Sequence, residues 1–195
     1  MKNWLDKMER RFGRYAIRNL TMYLLAGYAI GYLLSFTMPQ LLTYFTLDPA
    51  LILKGQVWRL LSWVIIPPND NIIFVIFMML LYYSLGNTLE SYWGAFRYNV
   101  YIFSGILFTV IGAFIVNGLI GGITGFGSLY STYYINMSIF LACASIMPDY
   151  QLLLYGIIPI KMKWLAILDV VLLAVDAVQG GLIIRIVIIA SLLNF

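Results

Sequence analysis

The chain of 195 residues contains no histidine. That absence removes imidazole ligands to zinc or haem, Ser–His and Cys–His nucleophile pairs, and imidazole proton shuttles together. Cysteine occurs once, at Cys143, so neither an intrachain disulfide nor a CxxC-type metal site can form. Charge is scarce as well. Only 10% of residues are Asp, Glu, Lys or Arg, against ~25% in soluble domains. There is no P-loop and no basic patch interleaved with aromatics, which excludes a nucleic-acid partner. The pI near 9.1 comes from a basic N-terminal cluster. No cofactor is implied by any of this.

The residues that are present are mostly apolar: 63% hydrophobic, with a mean hydropathy of +0.91. A soluble fold of this size would leave much of that surface in water, so lipid is the solvent that suits the composition. The fold class expected is an all-α polytopic membrane protein. Residues 1–18 are set apart: MKNWLDKMERRFGR is charged and amphipathic, and no small-residue cleavage site follows it. This stretch reads as a cytosolic interfacial helix, not a cleaved signal. Residues 19–195 read as one membrane domain.

Six segments meet the ~20-residue requirement of a spanning helix, which relaxes where neighbours bury the ends. They lie at about 19–37, 70–88, 98–117, 132–148, 164–178 and 180–195. The last two, tied by Gln179-Gly180-Gly181, form a tight helical hairpin. Lysines and arginines orient the set. With the N-terminus in the cytosol, Lys2, Lys7, Arg10, Arg11, Arg14, Arg18, Arg97, Lys161 and Lys163 are inside. Only Lys54 and Arg59 then lie outside, and Arg185 falls within a span.

The connection from Met38 to Pro68 is too apolar for a solvated loop (LLTYF, then LILKGQVWRLLSWVII). It reads as short helices half-buried in the outer leaflet. The second outer loop, Gly118 to Ser131, is uncharged and carries Gly118, Gly121, Gly122, Gly125 and Gly127. Such glycine density fits irregular backbone dipping toward the membrane, and fits a plain flexible loop equally.

Charges within spans are functional candidates by default. Asp169 and Asp176 are seven residues apart, about 700° of helical rotation, and so share one face of span five. Arg185 lies as far beyond the Gly180–Gly181 turn as Asp176 lies before it, which predicts an Asp176–Arg185 ion pair. Its plain role is to pin the hairpin; its functional role is a proton or substrate relay. An aspartyl protease is disfavoured, because two turns along one helix separate the carboxylates by roughly 10 Å, and that chemistry needs them to share one proton.

Two stretches are more specific. Gly55-Gln56-Val57-Trp58-Arg59-Leu60-Leu61-Ser62 places a multiple donor, Arg59, in a membrane-embedded loop, with Trp58 as interfacial anchor. Gly86 to Arg97 (GNTLESYWGAFR) places Glu90 at the cytosolic boundary, to accept from amides of the next turn or from Arg97. The plain reading is that all of these residues fix loops.

Together GQ-x-WRLLS, the LE-x-x-WG-x-x-R run (Glu90, Trp93, Gly94, Arg97) and the glycine-rich loop before span four resemble the rhomboid superfamily. That superfamily comprises intramembrane serine proteases and inactive relatives such as the derlins. The resemblance covers nearly all of the chain after residue 18, with the motifs in the right order. It implies a six-helix rhomboid-like bundle with a half-buried helical first outer loop. Members that are proteases carry a serine in a G-x-S-G turn at span four, a histidine base in span six, and a histidine and an asparagine in span two. Here the two span-two positions fall on Phe74 and Met78. The serine position falls on Asn136, with Ser138 two residues on and no glycine in Tyr134-Ile135-Asn136-Met137-Ser138. Gly127-Ser128 is an alternative alignment, also without the second glycine. Lys161 and Lys163 sit at the opposite end of the bundle from Ser138, and a helical serine without a base is usually a packing residue.

The reading that results is a rhomboid-like pseudoprotease that binds transmembrane segments of client proteins in the bilayer without cleaving them. Asn136 and Ser138 are expected to line a lateral gap. The alternatives are a rhomboid-type intramembrane serine protease, and a small transporter using Asp169, Asp176 and Arg185. Because rhomboid-like proteins are common in bacteria, a bacterial inner membrane is the expected location, with an endoplasmic-reticulum relative as the second reading.

Overall fold

The computed structural model describes residues 4–67, 72–122, 124–125, 127, 130, 132–154 and 158–193. It opens with a short amphipathic helix, α1 (Trp4–Phe12), and a 3-10 turn at Gly13–Tyr15. Each of the six segments expected to span is helical over most of its described residues. These are α2 (Leu20–Thr37), α6 (Ile72–Trp93), α7 (Ala95–Leu119), α8 (Tyr133–Ile146), α9 (Met162–Gln179) and α10 (Gly181–Leu192). The apolar connection after α2 folds into three short helices, α3 (Pro39–Phe45), α4 (Pro49–Leu53) and α5 (Arg59–Ser62), and a 3-10 turn at Trp63–Ile65. Proline at the first position of α3 and α4 starts each of them, because its fixed φ suits a helix and its missing N–H would have no partner there.

The boundary between α6 and α7 is tighter than the sequence suggests. A single residue, Gly94, separates them, at φ +84°, a conformation that side-chain-bearing residues rarely adopt. Its N–H closes the end of α6 on the Glu90 carbonyl at 2.9 Å, and its carbonyl accepts from Tyr98 N at 3.1 Å, the first turn of α7.

α7 is the hub of the packing, touching α6, α8, α10, α4 and α1. Its inner face is made of small and polar side chains as well as large ones: Gly105, Thr109, Gly112 and Ala113 beside Tyr98, Ile102 and Val116. Gly112 lies so close to Ala190 of α10 that a Cβ there would collide with it. Its outer face is a stripe of five residues spaced four apart, Phe103, Leu107, Ile111, Ile115 and Leu119, all exposed. Small residues inside and large apolar residues outside is the packing expected of helices in lipid, where close backbone approach and not solvent exclusion drives association. Among the described residues, α2 and α7 are long and apolar enough to cross a membrane.

One element departs from the all-α expectation. Residues Gln151–Leu154 and Ile158–Lys161 form an antiparallel pair, β1 and β2, in register Gln151↔Lys161 to Leu154↔Ile158. Backbone bonds from Met162 N to the Tyr150 carbonyl (2.9 Å) and from Lys163 N to the Pro148 carbonyl (3.0 Å) close its base. In a two-stranded pair each strand has a free edge, so Pro159 can sit in β2 without breaking a ladder.

Candidate functional site

Asn136 and Ser138 lie in the first half of α8 and bond to α2 and α7. Asn136 is 4% exposed, and its amide faces the Tyr28 hydroxyl of α2. Either Nδ2 donates to the hydroxyl at 3.3 Å or the hydroxyl donates to Oδ1 at 3.4 Å. Thr132, one turn earlier, faces Tyr28 too and donates to the Ile66 carbonyl at 3.3 Å. Ser138 has no exposed surface. Its Oγ donates to the carbonyl of Ile135 in its own helix at 2.8 Å, while its own carbonyl accepts from Tyr101 at 2.8 Å. The hydroxyl is thus occupied in a back-bond, with no base beside it. Met78 is half-buried in α6; the Phe74 side chain and all of Ser128 lie outside the described residues.

The structure corrects the expected placement of Asn136 and Ser138. They face inward: the Asn136 side chain bonds to Tyr28 of α2, the Ser138 hydroxyl stays within α8, and both are buried among the described residues. Helical periodicity marks which residues share a face, but which face turns inward depends on α2 and α7, far away in sequence.

The Gly55–Ser62 motif is a hydrogen-bond hub. Arg59 is 3% exposed. Its Nη1 donates to the carbonyls of Thr43 (2.8 Å) and Thr46 (2.9 Å) and to the Thr46 hydroxyl (3.1 Å), and its Nε to Gln56 Oε1 (2.7 Å). These carbonyls belong to the end of α3, where helical backbone runs out of partners. Trp58 is half exposed and donates from Nε1 to the Tyr44 carbonyl at 3.1 Å. Asp48 was not singled out by sequence. It caps α4 through Oδ1 and accepts from Gly125 N through Oδ2 at 2.9 Å, tying the glycine-rich loop to the first loop. An Asp-Pro pair opening an apolar run was the available signal.

At the opposite end, Glu90 and Arg97 take partners other than each other. Glu90 Oε1 accepts from the backbone N of Asn19, 2.7 Å away, which sits in a left-handed conformation (φ 55°) at the start of α2. Arg97 reaches instead to α1, pairing with Asp6 at 2.7 Å and Glu9 at 3.0 Å. Trp93 stacks edge-on to Tyr101, their ring centroids 5.2 Å apart.

The charges in the C-terminal hairpin are also arranged otherwise than expected. Among the described residues no ion pair joins Asp176 to Arg185. Arg185 Nε donates to the Ala177 carbonyl at 2.6 Å, capping the last turn of α9, whose terminal carbonyls lack helical partners and carry the negative end of the dipole. Asp176 is exposed. Asp169, two turns earlier, is half-buried, and lies near enough to Tyr82 of α6 and Tyr133 of α8 to act on both electrostatically. No group of three metal-ligating side chains occurs among the described residues.

Compared with known families, residues 18–193 match the family described as eukaryotic integral membrane protein (DUF1751). The chain belongs to this family. No curated protein and no solved structure matches it. Membership makes the outward apolar stripe of α7 a lipid-facing surface. It also overturns the bacterial inner membrane as the location, since the family is eukaryotic; that expectation rested on how common such proteins are in bacteria, which no residue of the chain encodes.

Proposed function

We propose that this DUF1751 protein is a rhomboid-like membrane pseudoprotease that holds transmembrane segments of client proteins without cleaving them. Three observations support the reading. The WR and LE-x-x-WG-x-x-R motifs are retained as structural fasteners, the chain has no histidine, and the Ser138 hydroxyl is bonded within its own helix.

The observation that carries it is the state of α9. Among the described residues this helix packs on α8, α10 and β2, with no extended seam against α6. Most of its circumference is open: Trp164, Ile167, Leu168, Val171 and Val175 are all exposed. On its α6 side Asp169 is half-buried and has no hydrogen bond or ion pair to any described residue. A polar group left without a partner at the margin of an apolar bundle is suited to bind a polar side chain or backbone donor of an incoming helix, an interaction worth roughly 1 kcal/mol in lipid. Docking therefore centres on Asp169 and the α6–α9 side, with the Tyr28–Asn136 cluster behind it.

The test is photo-cross-linking in liposomes with a panel of single-span helices, from probes at Leu168 and Leu172 and at Ile111 on the outer stripe of α7. Saturable capture from the α9 positions, several-fold weaker in Asp169→Leu and absent at Ile111, supports the reading. Equal capture at Ile111 refutes a defined docking side. Cleavage of any helix, with fluorophosphonate labelling lost in Ser138→Ala, refutes the pseudoprotease.

A further inference from the structure

The short helix α1 carries charges of both signs, and the fold sorts them. Each residue turns a helix by about 100°, which places Asp6 and Glu9 on one arc of α1 and Lys7, Arg10 and Arg11 on the next. The acidic arc turns to the bundle. Asp6 and Glu9 are part-buried and clasped by Arg97, in the first turn of α7, at 2.7 and 3.0 Å. The three basic residues are exposed, and so are Arg14 and Arg18, which continue the series toward α2. Among the described residues none of these five cations has an acidic partner. Their hydrogen bonds are local, from Arg10 Nε to the Asp6 carbonyl at 3.3 Å and from Arg14 to the Tyr15 hydroxyl at 2.6 Å. With both carboxylates matched by Arg97 from the bundle side, the outward side of this segment is positive alone.

Apolar surface is interleaved with that charge. Trp4, Phe12, Tyr15 and Ile17 are all exposed, and Arg11 and Arg14 lie over the Phe12 and Tyr15 rings, 5.5 and 4.7 Å from their centroids. Tryptophan and tyrosine are enriched at the head-group level of a bilayer, where one part of the ring is apolar and the other wet. The position agrees with that environment. α1 and the 3-10 turn after it pack on α7, whose exposed stripe from Phe103 onward faces lipid.

An acidic polypeptide matches the charge but leaves the exposed rings in water, whereas an anionic bilayer surface matches both. We infer that the outward side of α1, continued by Arg14 and Arg18, is a binding surface for anionic lipid, and that Arg97 is the positioning residue that holds the acids of α1 away from it. Basic residues at the rim of a membrane domain attract anionic head groups collectively, each cation within a Debye length of the surface adding to the attraction. Binding of this kind engages many head groups and no single lipid, so it depends on the charge of the bilayer and on salt. The side predicted for this end by lysine and arginine, the cytosolic one, is where anionic lipids concentrate.

The experiment uses the full chain in nanodiscs of phosphatidylcholine alone or with phosphatidylserine. It follows trypsin cleavage at Arg10, Arg11, Arg14 and Arg18 against cleavage at Lys161 and Lys163, whose charge Asp149 offsets. The ratio within one molecule cancels any attraction of the protease to the charged bilayer. Phosphatidylserine is expected to slow the N-terminal sites by roughly fivefold or more relative to the other two. Salt at 1 M, where the Debye length is about 3 Å, should abolish the difference. Arg97→Gln keeps every cation of α1 but leaves its carboxylates unmatched, and should cut the phosphatidylserine effect by roughly half or more. Adding Asp6→Asn and Glu9→Gln to Arg97→Gln should restore the effect, an outcome that a merely mechanical clasp does not give. A cleavage ratio equal in the two bilayers would overturn the assignment. So would polyglutamate protecting the same sites equally well in phosphatidylcholine discs, which would point to an acidic protein partner. Both of those readings come from the wild-type chain, so a poorly folded variant cannot mask them.

Discussion

Ser138 and Asn136 stand two residues apart in one helix, yet their hydrogen bonds differ in kind. The Ser138 hydroxyl returns to its own helix at Ile135, so Ser138→Ala removes a bond that serves no other element. We expect it to shift thermal stability in detergent by less than about 1 kcal/mol, the range of intrahelical back-bonds and hydrogen bonds in membranes. Asn136, by contrast, bridges to Tyr28 on α2. A double-mutant cycle of Asn136→Leu and Tyr28→Phe should return a coupling of about 1 kcal/mol. Coupling indistinguishable from zero would mean that the contact is geometric only. The motif residues were legible as types but not as partners: an arginine in an apolar loop must find acceptors, and Arg59 does, whereas nothing in the spacing of Glu90 and Arg97 showed that α1 would take Arg97.

Among the elements, the β1–β2 hairpin is the one that sequence reading missed, because a short connection between two apolar helices gives no alternating pattern to detect. Its base is held by Asp149, which accepts from Lys163 at 2.9 Å and Lys161 at 3.3 Å. The Lys163 hydrogen bond above all, then that of Lys161 and the charges of both, hold the Asp149 carboxyl below its ordinary value of 3.8. The sign follows from linkage: with the folded pKa depressed, the clamp contributes fully above the unfolded value and is lost as pH falls through the folded one. Amide exchange over residues 150–162 should thus speed up, relative to α7, as pH drops below about 4 after correction for intrinsic rates. Because the Asp149 carboxylate is exposed and both lysines are partly so, raising salt at neutral pH should produce part of the same loosening. Exchange that responds to neither would remove Asp149 from any role in the hairpin.

Across the whole molecule, packing is uneven. α7 carries eleven buried residues while α9 carries two, Met162 and Leu173. Local opening free energy follows buried contact, so α9 should open well before the core. Native-state hydrogen exchange in nanodiscs should show α9 amides at least tenfold less protected than those in the middle of α7, a difference of about 1.4 kcal/mol. Equal protection would mean that the helices open as one unit, which would leave no separately mobile side for a client helix to enter.

The sequence by itself determined the membrane class, the approximate positions of the long helices and the lack of any imidazole side chain. All of these follow from composition and hydropathy, which are summed along the chain and survive errors of a residue or two. The tertiary structure decided what the polar side chains do. It turned Asn136 inward to Tyr28, gave Arg97 to α1, set Arg185 on the end of α9 in place of Asp176, and left Asp169 with no hydrogen bond or ion pair among the described residues. The physical reason is angular: each residue turns a helix by about 100°, so the partner of a side chain depends on the rotation and depth of helices whose contacts are long-range, and no local pattern carries that information.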